Sequence, residues 1–289
     1  MYVPAILMAL LASLIYGFLG ICFQIAGERR LQILDFMFYK QLIGFFLGLL
    51  LSLYIGVPLY QPRLFLLGAI GALSYTITLG AYLKATRERE IAASWTVVNL
   101  SVALPIAFSV FWFGDPFTWT KASGVILTLL SIIFISGGFK PESWKSVNVT
   151  WFRWISVAFL FNGWLVVLFR FVRADEGPLF TTYFYGLSFL YLAIPPLWKR
   201  QLPKATKTLL LVSAGGAFTH WIGIVLTIFA LNLIAPVTNS PGVIIYPITN
   251  GLVIPVGVVL GMILLKEKTN RSTATGVVLG VMALVLFFL

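Results

Sequence analysis

The chain has 289 residues, of which 60% are hydrophobic and only 10% charged, and it carries a formal net charge of +11. Such a composition leaves no polar stretch able to shield a water-soluble core. Its basic excess is spread over many short segments, which argues against a nucleic-acid-binding patch.

Ten apolar spans follow one another: 4–25, 33–57, 63–83, 91–113, 119–137, 151–172, 179–198, 207–231, 237–265 and 273–289. Each approaches the roughly 20 residues a helix needs to cross a bilayer core. The runs are continuously apolar, whereas barrel strands alternate in polarity, so an all-α membrane protein is predicted. Lacking a basic start and followed by nine further spans, the first is read as a membrane helix rather than a cleavable signal.

Cys22 is the sole cysteine, so no disulfide or thiolate metal site forms within one chain. Neither a metal-ligand set nor a cofactor motif is read, and no Gly-Lys-Ser/Thr phosphate loop marks a nucleotide-driven pump. No nucleophile is paired with a base, so no catalytic residue is assigned and an enzyme is not expected. Asn148-Val149-Thr150 and Asn270-Arg271-Ser272 match the glycosylation triplet. Both fall in gaps assigned below to the cytoplasm and are read as chance matches.

Charge assigns a side to each gap. Of the 20 lysines and arginines, only Arg63, Lys121, Arg170 and Arg173 sit at the even-numbered gaps. The other sixteen, Lys40 among them, lie at the odd-numbered gaps and the adjoining span ends. Basic loops stay cytoplasmic, so both termini are expected on the non-cytoplasmic face of a cell (plasma or inner) membrane. Membrane lipids then account for the net charge, through contact of basic loops with anionic headgroups.

The chain repeats itself at residues 1–146 and 147–289. Ala85 answers to Ala230, Tyr16-Gly17 to Asn162-Gly163, and Gly124 to Gly276. The fourth and ninth spans each carry a late proline, Pro105 and Pro255, and each ends near an acid, Asp115 and Glu267. Five helices per unit is an odd number, so the second copy enters the membrane upside down. The basic gaps invert with it, being the first and third of one unit and the second and fourth of the other. Inverted repeats are tied to alternating access, which points to a transporter.

Several features resemble the EamA-like, ten-helix branch of the drug/metabolite transporter superfamily: the aromatic-Gly of the opening helix, the basic Lys40 of the second helix, the Ala-Thr-Arg-Glu-Arg-Glu-Ile-Ala-Ala run at 85–93, and the proline, acid and glycine pattern. The resemblance implies two inverted repeats, a cavity built by helices one, three, four, six, eight and nine, and secondary transport without ATP. Tyr16 and Asn162 stand where the family usually has tryptophan, and Asp115 stands for its glutamate. Family members are generally placed with both termini in the cytoplasm, opposite to the charge reading.

Polar or small faces at helical spacing select the substrate-binding candidates Tyr16, Tyr75, Trp95, Asn99, Asn162, His220, Asn239, Tyr246 and Asn250. Amides do not face lipid, so the asparagines must meet protein or water; interhelical bonding and cavity lining both satisfy them. With Trp164 and Trp221, the aromatic residues suit the walls of a site for organic solutes. His220, the only histidine, can bind substrate or relay a coupling proton. Pro241, Pro247 and Pro255 each remove a backbone donor and are read as gating or hinge positions, freeing the carbonyls of Val237, Val243 and Gly251. Gly44 to Gly48, Gly257 to Gly261 and Gly276 to Gly280 are read as helix-packing spacings.

Every carboxylate lies at a span end or in a gap. The buried glutamate with which small multidrug relatives exchange protons for cations thus has no counterpart. The expectation is a transporter of a small organic metabolite, such as an amino acid, a sugar or a similar neutral or zwitterionic solute. A flippase or scramblase of lipid-linked molecules and an organic-cation exporter with an aromatic cavity stand as alternatives. Monomer and homodimer are both left open.

Overall fold

A computed structural model describes residues 2–88, 91–135, 149–198, 202–264 and 271–288. The junction at 146/147, Asn148, Asn270, Glu267 and the gap cations Arg89, Lys140, Lys145, Lys199, Arg200, Lys266 and Lys268 lie outside them.

Twelve helices account for the described spans: α1 (Tyr2–Glu28), α2 (Ile33–Ile55), α3 (Pro62–Glu88), α4 (Ile91–Leu100), α5 (Ala103–Phe111), α6 (Trp119–Ile135), α7 (Val149–Leu168), α8 (Gly177–Trp198), α9 (Lys207–Ile234), α10 (Pro241–Tyr246), α11 (Val253–Leu264) and α12 (Arg271–Phe288). The predicted fourth and ninth spans are each broken in two. Between α4 and α5 the chain turns at Ser101 and Val102, and between α10 and α11 a π-helical turn covers Pro247–Gly251. The ninth span also begins later than expected. Pro241 occupies the first turn of α10, where a missing N–H costs nothing, so the Val237 carbonyl is not one that a helix has lost.

Local chemistry sets several ends. Gly56 closes α2 in the left-handed region at φ 76°, with its N–H on the Leu53 carbonyl. Pro62 opens α3 at a position with no N–H to satisfy. The Thr206 hydroxyl accepts from the Leu209 N–H and starts α9.

Six stretches are long and apolar enough to cross a membrane, on α1, α2, α3, α7, α9 and the combined α10–α11. Shorter apolar helices cover Val97–Phe111, Trp119–Ile135 and Ala274–Ala283. On α1, Leu7, Leu11, Leu14 and Phe18 form an exposed stripe, whereas Ala5, Ala9, Ala12 and Ser13 are buried. Large apolar side chains outside and small ones inside is the arrangement lipid favours, because only close backbone approach is gained between helices. Tyr54, Tyr60, Trp112 and Trp119 are exposed around the second and fourth gaps, as an interfacial aromatic belt requires.

Helix pairing follows a two-fold rule. α1 packs on α9 as α7 packs on α3; α2 packs on α9 as α8 packs on α3; α1 packs on α11 as α7 packs on α4 and α5. The pairs α2–α8 and α6–α12 map onto themselves and so straddle the axis. This is the all-α fold of two inverted five-helix repeats, with α1–α6 answering to α7–α12.

The α6–α12 pair shows why glycine is needed at such a contact. A Cβ at Gly276 would lie 2.8 Å from both the Ile135 amide nitrogen and the Ser131 carbonyl oxygen. Ser131 Oγ donates to the Gly276 carbonyl at 2.6 Å, and Ser272 Oγ to that of Phe134 at 2.6 Å. At Gly257, by contrast, an added Cβ meets nothing within 4 Å. Gly276→Ala is therefore expected to destabilise the detergent-solubilised protein by about 1–3 kcal/mol. Gly257→Ala should be neutral or slightly stabilising; thermal unfolding of the two variants side by side checks both.

Candidate functional site

Lys40 is the least expected residue of the fold. Reckoned with the first gap on sequence grounds, it stands a full two turns inside α2 and is completely buried. A charged amine in hydrocarbon costs several kcal/mol unless partners surround it. Its Nζ donates to Gln41 Oε1 at 3.3 Å and lies 3.0 Å from His220 Nδ1 on α9. It also sits 5.2 Å from the ring centre of Tyr75 on α3 and 5.5 Å from that of Tyr185 on α8. Cation–π attraction from two desolvated rings adds to the two polar contacts.

His220 joins the group from the other side. The Tyr185 hydroxyl is 2.8 Å from the same Nδ1, and the rings of Tyr16, Tyr75, Phe184 and Tyr185 lie 5.7–6.2 Å from the imidazole. An ammonium only donates, so Nδ1 must accept from Lys40 and the ring proton resides on Nε2. Lys40 and Tyr185 are fully buried, whereas His220, Tyr16 and Tyr75 are half-buried and form the accessible face.

Neighbouring helices fix this geometry by close approach. A Cβ at Gly44 would meet the Tyr185 ring at 2.4 Å, one at Gly216 the Phe36 ring at 2.9 Å, and one at Gly223 the Tyr16 ring at 2.4 Å. Tyr75 donates its hydroxyl to Met37 Sδ at 3.2 Å. Gly44, Gly223 and the Met37 thioether thus hold Tyr185, Tyr16 and Tyr75 around one pair of nitrogens.

The cluster obeys the two-fold rule residue by residue. The offset of 145 that relates Ala85 to Ala230 also relates Lys40 to Tyr185 and Tyr75 to His220. Four side chains at the centre are therefore two pairs of symmetry mates.

The remaining sequence candidates fall elsewhere. Asn162 donates to Ser101 Oγ at 2.8 Å and the Val98 carbonyl at 3.4 Å, tying α7 to the break between α4 and α5. Asn250 donates to Thr249 Oγ1 at 2.7 Å inside the π turn, and Asn99 lies near the end of α4. Tyr246 is buried on α10 with no partner for its hydroxyl among the described residues. Asn239 is exposed in the loop before α10, and Trp164 is also exposed. The Trp95 side chain lies outside what the structure describes. Pro247 opens the π turn, and Pro255 packs beneath Gly280 of α12. Among the described residues, no three or more histidine, cysteine or acidic side chains converge as a metal site.

A second polar centre closes the even-gap end. Asp115 is buried and accepts at Oδ2 from the Gly242 and Val243 amides at 2.8 and 3.4 Å. Its Oδ1 lies 3.3 Å from Arg170 Nη2. Burial pushes the Asp115 carboxyl up, opposed by Arg170 and the two amides. Lys121 Nζ donates to Ser240 Oγ at 2.9 Å, which donates to the Pro116 carbonyl at 3.1 Å. Arg63 pairs with Glu176 at 2.9 Å and also donates to the Phe171 carbonyl. All four cations of the even gaps sit on this one face, and three of them join segments of different units.

The fold is that of a multi-pass, all-helical membrane protein. The EamA-like transporter family matches residues 3–137, the whole of the first five-helix unit as described, and that unit is EamA-like. A solved structure titled "Crystal structure of protein" superposes with a TM-score of 0.73 at 18% identity, covering 99% of this chain and 98% of its own. At that identity the likeness speaks for the fold alone. Among curated proteins, none matches the sequence.

Asp115→Asn leaves an acceptor for the Gly242 amide but strands the Arg170 guanidinium. A loss of about 1.4 kcal/mol from closure corresponds to tenfold in the equilibrium. Val243→Cys on a Cys22→Ala background should then react with a membrane-impermeant maleimide about tenfold faster when Asp115→Asn is added. An unchanged rate would mean that this cluster does not hold the end shut.

Proposed function

We propose that the chain carries a small organic metabolite across the cell membrane by alternating access, as a secondary active or facilitative transporter. One observation carries the reading: a polar, aromatic-walled cluster at mid-membrane is assembled from α1, α2 and α3 of one unit and α8 and α9 of the other. Relative movement of the units would open such a site to one face and then the other. Both broken spans occupy corresponding places in the two units, which is the pattern of helices that yield around a central site. The seal at the even gaps supports a conformation closed on that face.

Our reading of orientation keeps the odd gaps in the cytoplasm and both termini outside. Lys40 leaves the tally of loop cations once it is seen inside α2, and the bias of the others still runs the same way. A terminal epitope tag accessible to antibody on intact cells is the expected outcome; access only after permeabilisation would reverse the assignment.

The transport reading is tested in proteoliposomes with amino acids, sugars, nucleosides and quaternary ammonium compounds in a counterflow assay. Saturable flux of at least one soluble compound is expected. His220→Ala removes an acceptor from a buried amine, a loss of about 1–3 kcal/mol. Flux should fall about tenfold or more while the variant remains monodisperse. Accelerated lipid exchange without soluble flux would replace the reading with a scramblase.

A further inference from the structure

Resting on that reading, the donor and acceptor inventory around Lys40 points to a substrate class. We infer that the central site binds a solute through an anionic oxygen group, most simply a carboxylate, with Lys40 as its counter-ion and the aromatic rings enclosing the apolar body.

Lys40 is the buried charge of the cluster, and it forms no ion pair among the described residues. The carboxylates whose side chains are described, other than Asp35, are Asp115, Asp175 and Glu176, all engaged at the even-gap end. Asp35 is five positions before Lys40, off its helical face. An amine offers three N–H groups, of which two meet acceptors, His220 Nδ1 and Gln41 Oε1.

Donors exceed acceptors in the immediate surroundings as well. Gln41 is completely buried, and its Nε2 has no partner among the described residues although its Oε1 is engaged by Lys40. With Nδ1 accepting, the Nε2–H of His220 is a further donor. Buried donors are ordinarily paired, so a surplus of them beside an uncompensated cation marks a place for an acceptor of negative charge.

A cation finds no acceptor of negative charge among the described residues here and is repelled by the Lys40 ammonium. A neutral solute could satisfy donors but would leave the ammonium without a counter-charge. Tyr16 and Tyr75, the half-buried rings, flank the approach to His220 and offer faces for an aromatic or aliphatic body.

Three probes with one body and different charge isolate the claim: 3-phenylpropionate, 3-phenylpropionamide and 3-phenylpropylamine. Binding to the full chain in nanodiscs is followed by intrinsic tryptophan fluorescence. The carboxylate is expected to bind at least tenfold more tightly than the amide or the amine. Lys40→Met should erase that preference and Lys40→Arg should keep it. Should Lys40→Met prove unstable, the probe series on the unaltered protein decides by itself. Equal affinities, preference for the amine, no saturable binding of the carboxylate, or a preference retained in folded Lys40→Met would each overturn the inference. Counterflow separates its failure from that of the transport reading. Flux of some soluble compound without carboxylate preference removes only the anion site; absence of any soluble flux removes both.

Discussion

The contact between Lys40 Nζ and His220 Nδ1 organises the centre of this protein. A bilayer offers no water to an amine two turns inside a helix, so the protein must supply acceptors or π faces from all sides. It does so with side chains from α2, α3, α8 and α9, and those helices must stay in register for the amine to be tolerated. The glycines that let Tyr16, Tyr185 and Phe36 approach neighbouring backbones are requirements of the same constraint. So is the burial of Gln41, whose amide oxygen would otherwise have no reason to be dry.

The two polar centres divide the work. At the even-gap end, Arg63 meets Glu176 where water competes, so that pair can release its segments, whereas Asp115 is held by Arg170 out of water. At mid-membrane the interactions are few and desolvated, and each is correspondingly harder to do without. Between the centres, Asn162 bonds to groups at the break in the fourth span. A side chain that read equally well as cavity lining or as packing here bonds to exposed backbone and a hydroxyl.

Helix number, most span limits and the duplication were legible in the sequence because hydrophobic length and spacing are one-dimensional signals. His220, Tyr16 and Tyr75 were also visible, being polar or aromatic on otherwise apolar faces. Lys40 was placed in the second helix by the family resemblance, yet the charge count gave it to the first gap, since a cation eight residues into a span reads as a snorkelling end. Tyr185 was hidden among the other aromatics of an apolar span. One signal could have found both: carrying the Ala85 to Ala230 offset through the rest of the chain puts Lys40 on Tyr185 and Tyr75 on His220. The helix breaks were harder, because membrane helices tolerate proline and only tertiary contacts decide whether the chain unwinds there. Asn239 misled for a related reason, as Pro241 begins a helix instead of bending one.

That correspondence bears on how the protein treats its two sides. Side chains exchanged by a two-fold axis in the membrane plane lie at equal depths from opposite surfaces, so the middle of each pair falls at the bilayer centre. On the proposed transport reading, a solute held there would face the same depth of protein in both directions. Within each pair the mates nevertheless differ, an amine answering to a phenol and a phenol to an imidazole. The cluster is thus geometrically indifferent to inside and outside yet chemically handed. Any preference for one direction of movement must then arise from the loops and seals at the two ends or from the gradients across the membrane, and not from where the solute rests.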